Sequence, residues 1–120
     1  MKYLLSVFLL CLLLYSCSKS TMPVASTKPD GCDSMAFSYR NDIKPIIASN
    51  CSGPDCHSGG NNNYDFSTYE VLAGRIMAGT VQYRLQLPAD DPQHMPQNGT
   101  MGACNLYRVL TWIRQGYPNN

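Results

Sequence analysis

Cys51-Ser52-Gly53-Pro54-Asp55-Cys56-His57 is the stretch on which the reading of this chain turns. Two thiols sit close together, and a histidine directly follows the second. Thiols so placed tether a haem: each forms a thioether with a vinyl group, and the adjacent imidazole binds the iron. The usual attachment signature is Cys-x-x-Cys-His. Here four residues, not two, separate the cysteines. The longer loop still brings both sulfurs to the porphyrin edge, because Gly53 and Pro54 favour a tight turn.

Upstream, the chain reads as exported. Residues 1–16 are MKYLLSVFLLCLLLYS: one lysine precedes an apolar run from Tyr3 to Tyr15 broken only by Ser6. The run is short for a membrane span and is flanked like a signal peptide. It ends in Leu14-Tyr15-Ser16-Cys17, which resembles a bacterial lipobox. Cleavage before Cys17 would leave a lipid-bearing N-terminal cysteine and a mature chain from Cys17 to Asn120. An ordinary secretory signal with an incidental Cys17 is the alternative. Residues 17–31 are rich in Ser, Thr and Pro and show no apolar period, so they are expected to be a flexible tether. One folded unit, residues 32–120, remains, which is a single small domain by length.

The charge balance argues against nucleic acid. All eight acidic residues lie in the mature chain, and loss of Lys2 leaves eight basic ones, so the formal net charge is zero. No basic stripe appears. Of the six cysteines, Cys11 leaves with the signal and Cys17 takes lipid. If Cys51 and Cys56 hold haem, Cys32 and Cys104 remain, and an oxidising compartment favours a disulfide between them. The competing arrangement is two disulfides among these four cysteines in a haem-free module.

Apolar spacing predicts helices and no strands. Asn41 and Asp42 suit a helix start, Pro45 is tolerable in a first turn, and Ile43, Ile46 and Ile47 share a face. This helix delivers the chain to Cys51. Ser67-Thr68-Tyr69-Glu70 reads as a capping box opening a helix through Leu72 and Ile76 that stops at Gly79. Val81–Leu87 suits a further short helical turn. Pro88–Gly102 is a polar loop. The last helix is expected from about Cys104 to Gln115, with Leu106, Val109, Leu110 and Ile113 on one face, Trp112 beside it and Gly116 as its stop.

A haem iron bound by one histidine needs a second ligand. His94-Met95-Pro96 lies in the long loop before the last helix. A thioether suits low-spin haem iron, and His/Met ligation raises the potential relative to His/His. Pro96 restricts Met95 to an extended form. Met95 is therefore the expected distal ligand, with Met101 and His94 as competitors. Met77 suits a core position, and Met22 and Met35 precede the site.

Taken together, Asp42 to Ile47, Asn50-Cys51, Cys56-His57, Met95-Pro96 and Trp112 to Gly116 resemble the class I cytochrome c domain, especially the small c-type domains of bacterial lipoproteins. The resemblance covers roughly Cys32 to Asn120. It implies an all-α domain of about three to four helices around one haem c. It also implies thioethers at Cys51 and Cys56, with His57 and Met95 as the two iron ligands. Ile43, Ile46, Ile47, Leu72, Leu106, Leu110 and Ile113 would pack around the haem. Tyr69, Tyr83, Tyr107, Trp112, Arg75 and Arg84 are candidates for its edge or propionates.

The expected function is electron transfer, not catalysis, because two protein ligands leave the iron no open site. The expected partners are other redox proteins, met briefly through a small surface. The membrane is met through the lipid anchor. The expected location is a bacterial membrane facing the periplasm; Ser18 after Cys17 suits the outer membrane by family resemblance. Three other readings stand beside this one. The first is a haem-free, disulfide-stabilised lipoprotein that binds a partner or ligand. The second is a zinc site on Cys51, Cys56 and His57, which lacks a clear fourth ligand. The third is a haem enzyme or gas sensor, should Met95 leave the iron free.

Overall fold

The computed structural model describes residues 27–33, 36–59, 64–97 and 99–120. The leader at 1–16, Cys17 and the tether up to residue 26 lie outside the described residues, as do Met22 and Met35. Within them the fold is all-α: a π-turn at Tyr39–Ile43 runs into α1 (Lys44–Cys51), followed by α2 (Tyr69–Met77), α3 (Thr80–Leu85) and α4 (Ala103–Arg114). No strand occurs among the described residues, and no helix there is long and apolar enough to cross a membrane.

The first helical segment starts earlier than its sequence suggests. Its cap is Ser38, not Asn41: the Ser38 hydroxyl accepts the Asn41 N–H at 3.0 Å, and Asp42 accepts the Ser38 N–H at 2.8 Å. The first N–H groups of a helix have no partner within it. Here the far end of the chain supplies two. Asn120 accepts the Tyr39 N–H on its side chain at 3.0 Å and the Arg40 N–H on its carbonyl at 2.9 Å. Pro45 follows in the first turn of α1, where its missing N–H does least harm, directly after the wider π-turn.

The expected capping box at Ser67 does not form. Ser67 donates its N–H back to the Asp65 carboxylate at 2.8 Å, and Thr68 takes the cap position of α2 without a side-chain bond. At the other end of α2, Gly79 adopts φ 77, the left-handed geometry that ends a helix, and α3 starts at the next residue. α4 also lacks a side-chain cap. Its first turn is pinned covalently instead, since Cys104 is bonded to Cys32, 72 residues away in sequence.

The core gathers one face from each helix. Ile43, Ile46 and Ile47 meet Leu72 and Ile76 of α2, Val81 and Leu85 of α3, and Val109, Leu110 and Trp112 of α4. Each such side chain contributes roughly 1.5–3 kcal/mol by leaving water. Trp112 is fully buried, stacks on Tyr39 at 5.7 Å, and donates its indole N–H to the Pro118 carbonyl at 3.1 Å. Tyr69 donates its hydroxyl to the Tyr117 carbonyl at 2.9 Å. These bonds fold residues 116–120 back over the π-turn.

A candidate haem-binding cavity

Beside this core lies a cavity of ≈ 590 Å³. That is within the roughly 300–1,000 Å³ usual for cofactor sites. Its wall joins segments far apart in sequence: the end of α1, the loop after it, one side of α2 and α3, and the loop before α4. Cys51, Cys56 and His57 line one part, and Met95 and Pro96 another. Ile47, Phe66, Leu72, Val81 and Leu85 supply apolar surface.

The two thiols are held by a compact loop. His57 donates its N–H to the Cys51 carbonyl at 2.9 Å, and Cys56 donates to Gly53 at 3.0 Å. Ser58 closes the loop from both sides: its hydroxyl donates to the Gly53 carbonyl at 2.9 Å and accepts the Gly53 N–H at 3.2 Å. A Cβ on Gly53 would meet the Cys56 sulfur at 3.4 Å. Cys51 and Cys56 are both free thiols. Burial, and then the neighbouring Cys56, push the Cys51 thiol up to about 11, so at neutral pH it stays protonated.

The His57 ring is held by a backbone carbonyl on one nitrogen. Its Nδ1 lies 3.0 Å from the Tyr64 carbonyl oxygen, which can only accept, so Nδ1 donates this hydrogen bond and fixes the ring's orientation. Phe66 stacks on the ring at 4.2 Å between centroids and 12° between planes, and its N–H donates to the His57 carbonyl at 2.9 Å. Sequence reasoning missed both Tyr64 and Phe66. The only local signal is their position shortly after a Gly/Asn run.

The three competitors for the distal position are separated by the fold. Met95 lines the cavity. Met101 is buried in the main core and is not on the wall, and His94 is also off the wall. The Met95–Pro96 peptide is cis. The Met95 N–H donates to the Arg84 carbonyl at 3.1 Å, which ties this loop to the end of α3.

The cavity departs from the expected packing in two respects. Ile47 and Leu72 reach its wall, whereas Ile43, Ile46 and Leu110 belong to the adjoining core, with Leu106 and Ile113 packed at its margin. Among the polar candidates, Arg75 and Arg84 line the cavity, and Arg75 lies 3.8 Å above the Tyr64 ring. Tyr69, Tyr83, Tyr107 and Trp112 do not line it. Trp112 and Tyr69 instead hold the C-terminal residues.

Among the described residues no group of three or more His, Cys, Asp or Glu side chains is arranged to hold a metal ion. Cys51, Cys56 and His57 thus do not themselves converge as three ligands, whereas a structural zinc site has four. An imidazole, His57, and a thioether, Met95, line the same cavity. Compared with protein-family models, curated proteins and solved structures, the chain finds no match.

Proposed function

We propose that this chain is a lipid-anchored electron-transfer protein carrying one covalently bound haem c, and that it is not an enzyme. The observation that carries the reading is a single cavity whose wall includes both free thiols, a histidine whose Nδ1 is bonded to a backbone carbonyl, and Met95 from a distant loop. The residues fit the group in type, in cavity size and in the apolar character of the wall.

In this reading Cys51 and Cys56 are the thioether positions, each thiol adding across a vinyl group so that no oxidant or leaving group is needed. His57 would hold the iron through Nε2, and its Nδ1–H bond to the Tyr64 carbonyl keeps the ring aligned. Met95 would supply a thioether as the second protein ligand, which would shut out exogenous ligands. Phe66, Leu72, Val81 and Leu85 exclude water, and Arg75 and Arg84 offer positive charge to the propionates. Bound there, the haem would supply a one-electron couple at iron. The partners are then redox proteins that dock transiently near the cavity mouth, and the anchor at Cys17 holds the domain to a membrane on the periplasmic side.

The test is the mature protein made alongside a cytochrome c maturation system. Its mass should include one haem that resists acid-acetone extraction, with the sharp reduced alpha band of a c-type haem. Cys51→Ala and Cys56→Ala should abolish or nearly abolish attachment, and His57→Ala should leave haem attached in a different spin state. Absence of haem from the wild type would leave the haem-free, disulfide-stabilised binding module.

A further inference from the structure

His94 stands out among the described residues. It is the one buried polar or charged side chain there, at 8 % exposure. Burying a polar ring is unfavourable unless its groups find partners. Its Nδ1 lies 2.8 Å from the Leu87 carbonyl oxygen, while Nε2 is buried with no partner. A carbonyl can only accept, so Nδ1 is the donor. An apolar side chain would fill this space without burying a bare Nε2 but would leave the Leu87 carbonyl without this donor, so packing alone does not account for a histidine.

The next residue supplies the account. Met95 donates its N–H to the Arg84 carbonyl at 3.1 Å, in the last turn of α3. The end of α3 and the residues just after it are therefore gripped twice, by the His94 ring and by the Met95 backbone. Between Leu87 and these grips the chain makes a tight excursion: His94 donates its N–H to the Asp91 carbonyl at 2.9 Å, and Gln93 to the Asp91 carboxylate at 2.7 Å. α3 in turn presents Val81, Arg84 and Leu85 to the cavity. Anchoring the loop to α3 thus fixes where Met95 sits on the cavity wall.

We infer that His94 is a positioning residue for Met95: its Nδ1–H bond to the Leu87 carbonyl clamps the loop to α3 and holds the Met95 thioether on the cavity wall. The inference rests on the proposed haem site, but the clamp itself is a property of the chain. A bare Nε2 beside a carbonyl-bonded Nδ1 is also how a histidine ligand is prepared. What separates the two roles is that Met95 lines the cavity and His94 does not.

The experiment compares His94→Asn, which keeps an amide donor near Nδ1, with His94→Leu, which is of similar bulk and has none. His94→Ala decides the same point if His94→Leu does not fold. In the haem-loaded full-length protein, His94→Leu should retain covalent haem but lose the red-end charge-transfer band of thioether-bound ferric haem and gain affinity for carbon monoxide. His94→Asn should keep the band. The clamp is overturned if His94→Leu keeps the band, or if His94→Asn loses it as completely as His94→Leu does; a wild type that lacks the band and changes its spectrum in His94→Asn but not in Met95→Ala overturns it too, because His94 is then the ligand. Hydrogen exchange of the Met95 amide in haem-free protein gives an independent readout. It should speed up by about fivefold or more in His94→Leu but not in His94→Asn, the size expected for one lost hydrogen bond. Unchanged exchange overturns the clamp. If the wild type never takes up haem, the proposed function falls and the exchange result alone judges His94.

Discussion

Replacing Cys32 and Cys104 together by serine should be the most destabilising double change outside the core. The bond spans 72 residues of sequence, so in the unfolded chain it closes one long loop. Loop-closure entropy for that length amounts to about 4 kcal/mol. A domain of this size has a total stability of roughly 5–15 kcal/mol, so the loss is a large fraction of the whole. The apparent Tm should fall by roughly 15–30 °C, at about 4–8 °C per kcal/mol. The nearby Arg108–Asp33 ion pair, at 3.1 Å, does not offset this, because Asp33 is 73 % exposed and water screens the pair. Exposed pairs contribute about 0–1 kcal/mol. Urea denaturation of the haem-free protein, with and without reductant, measures the effect. The urea m-value should rise as well, since the uncrosslinked chain exposes more surface when it unfolds. A loss below about 1 kcal/mol with an unchanged m-value would refute the closure argument. It would mean that the unfolded chain already holds these two segments together.

Three other expectations follow from single contacts. Met95→Ala should leave haem attached through Cys51 and Cys56, abolish the thioether-to-iron band and admit carbon monoxide; a band that survives there but vanishes in Met101→Ala would move the distal ligand into the core. In haem-free protein at pH 8, Cys51 should alkylate much more slowly than in the urea-unfolded chain, because its thiol is pushed up to about 11. The sign for stability follows from the raised value: the folded state favours the protonated thiol, so stability is present below pH 9.0 and is lost as pH rises toward about 11, which pH-dependent melting would show. Trp112→Phe should destabilise by about 1–3 kcal/mol, since it strands the Pro118 carbonyl, and should raise hydrogen exchange at the Tyr39 and Arg40 amides that Asn120 accepts.

Much of the helical content was legible from residues near one another in sequence. Leu72 and Ile76, and likewise Leu106, Leu110 and Ile113, stand a helical turn apart, and that spacing is a local property of the chain. Gly79 and Gly116 both adopt positive φ at helix ends, as their lack of a side chain permits. Cys51, Cys56 and His57 stand close together in sequence, and the structure puts all three on one cavity wall.

Tertiary contacts decided the rest. Asn41 and Ser67 have the composition of caps, yet Ser38 caps the first segment with help from Asn120, and Ser67 turns back to Asp65. No rule of local composition anticipates a partner some eighty residues away. The choice among His94, Met95 and Met101 was open for the same reason. All three lie within a short polar stretch, and only the packing of that loop on α3 puts Met95 on the cavity wall, Met101 in the core and His94 at the Leu87 carbonyl. Trp112, a candidate for the cavity by sequence, is held away from it by Tyr39 and Pro118. Spacing along the chain thus specified the helices and the closeness of the two free thiols, while the face each distant side chain presents depended on how the helices close over one another.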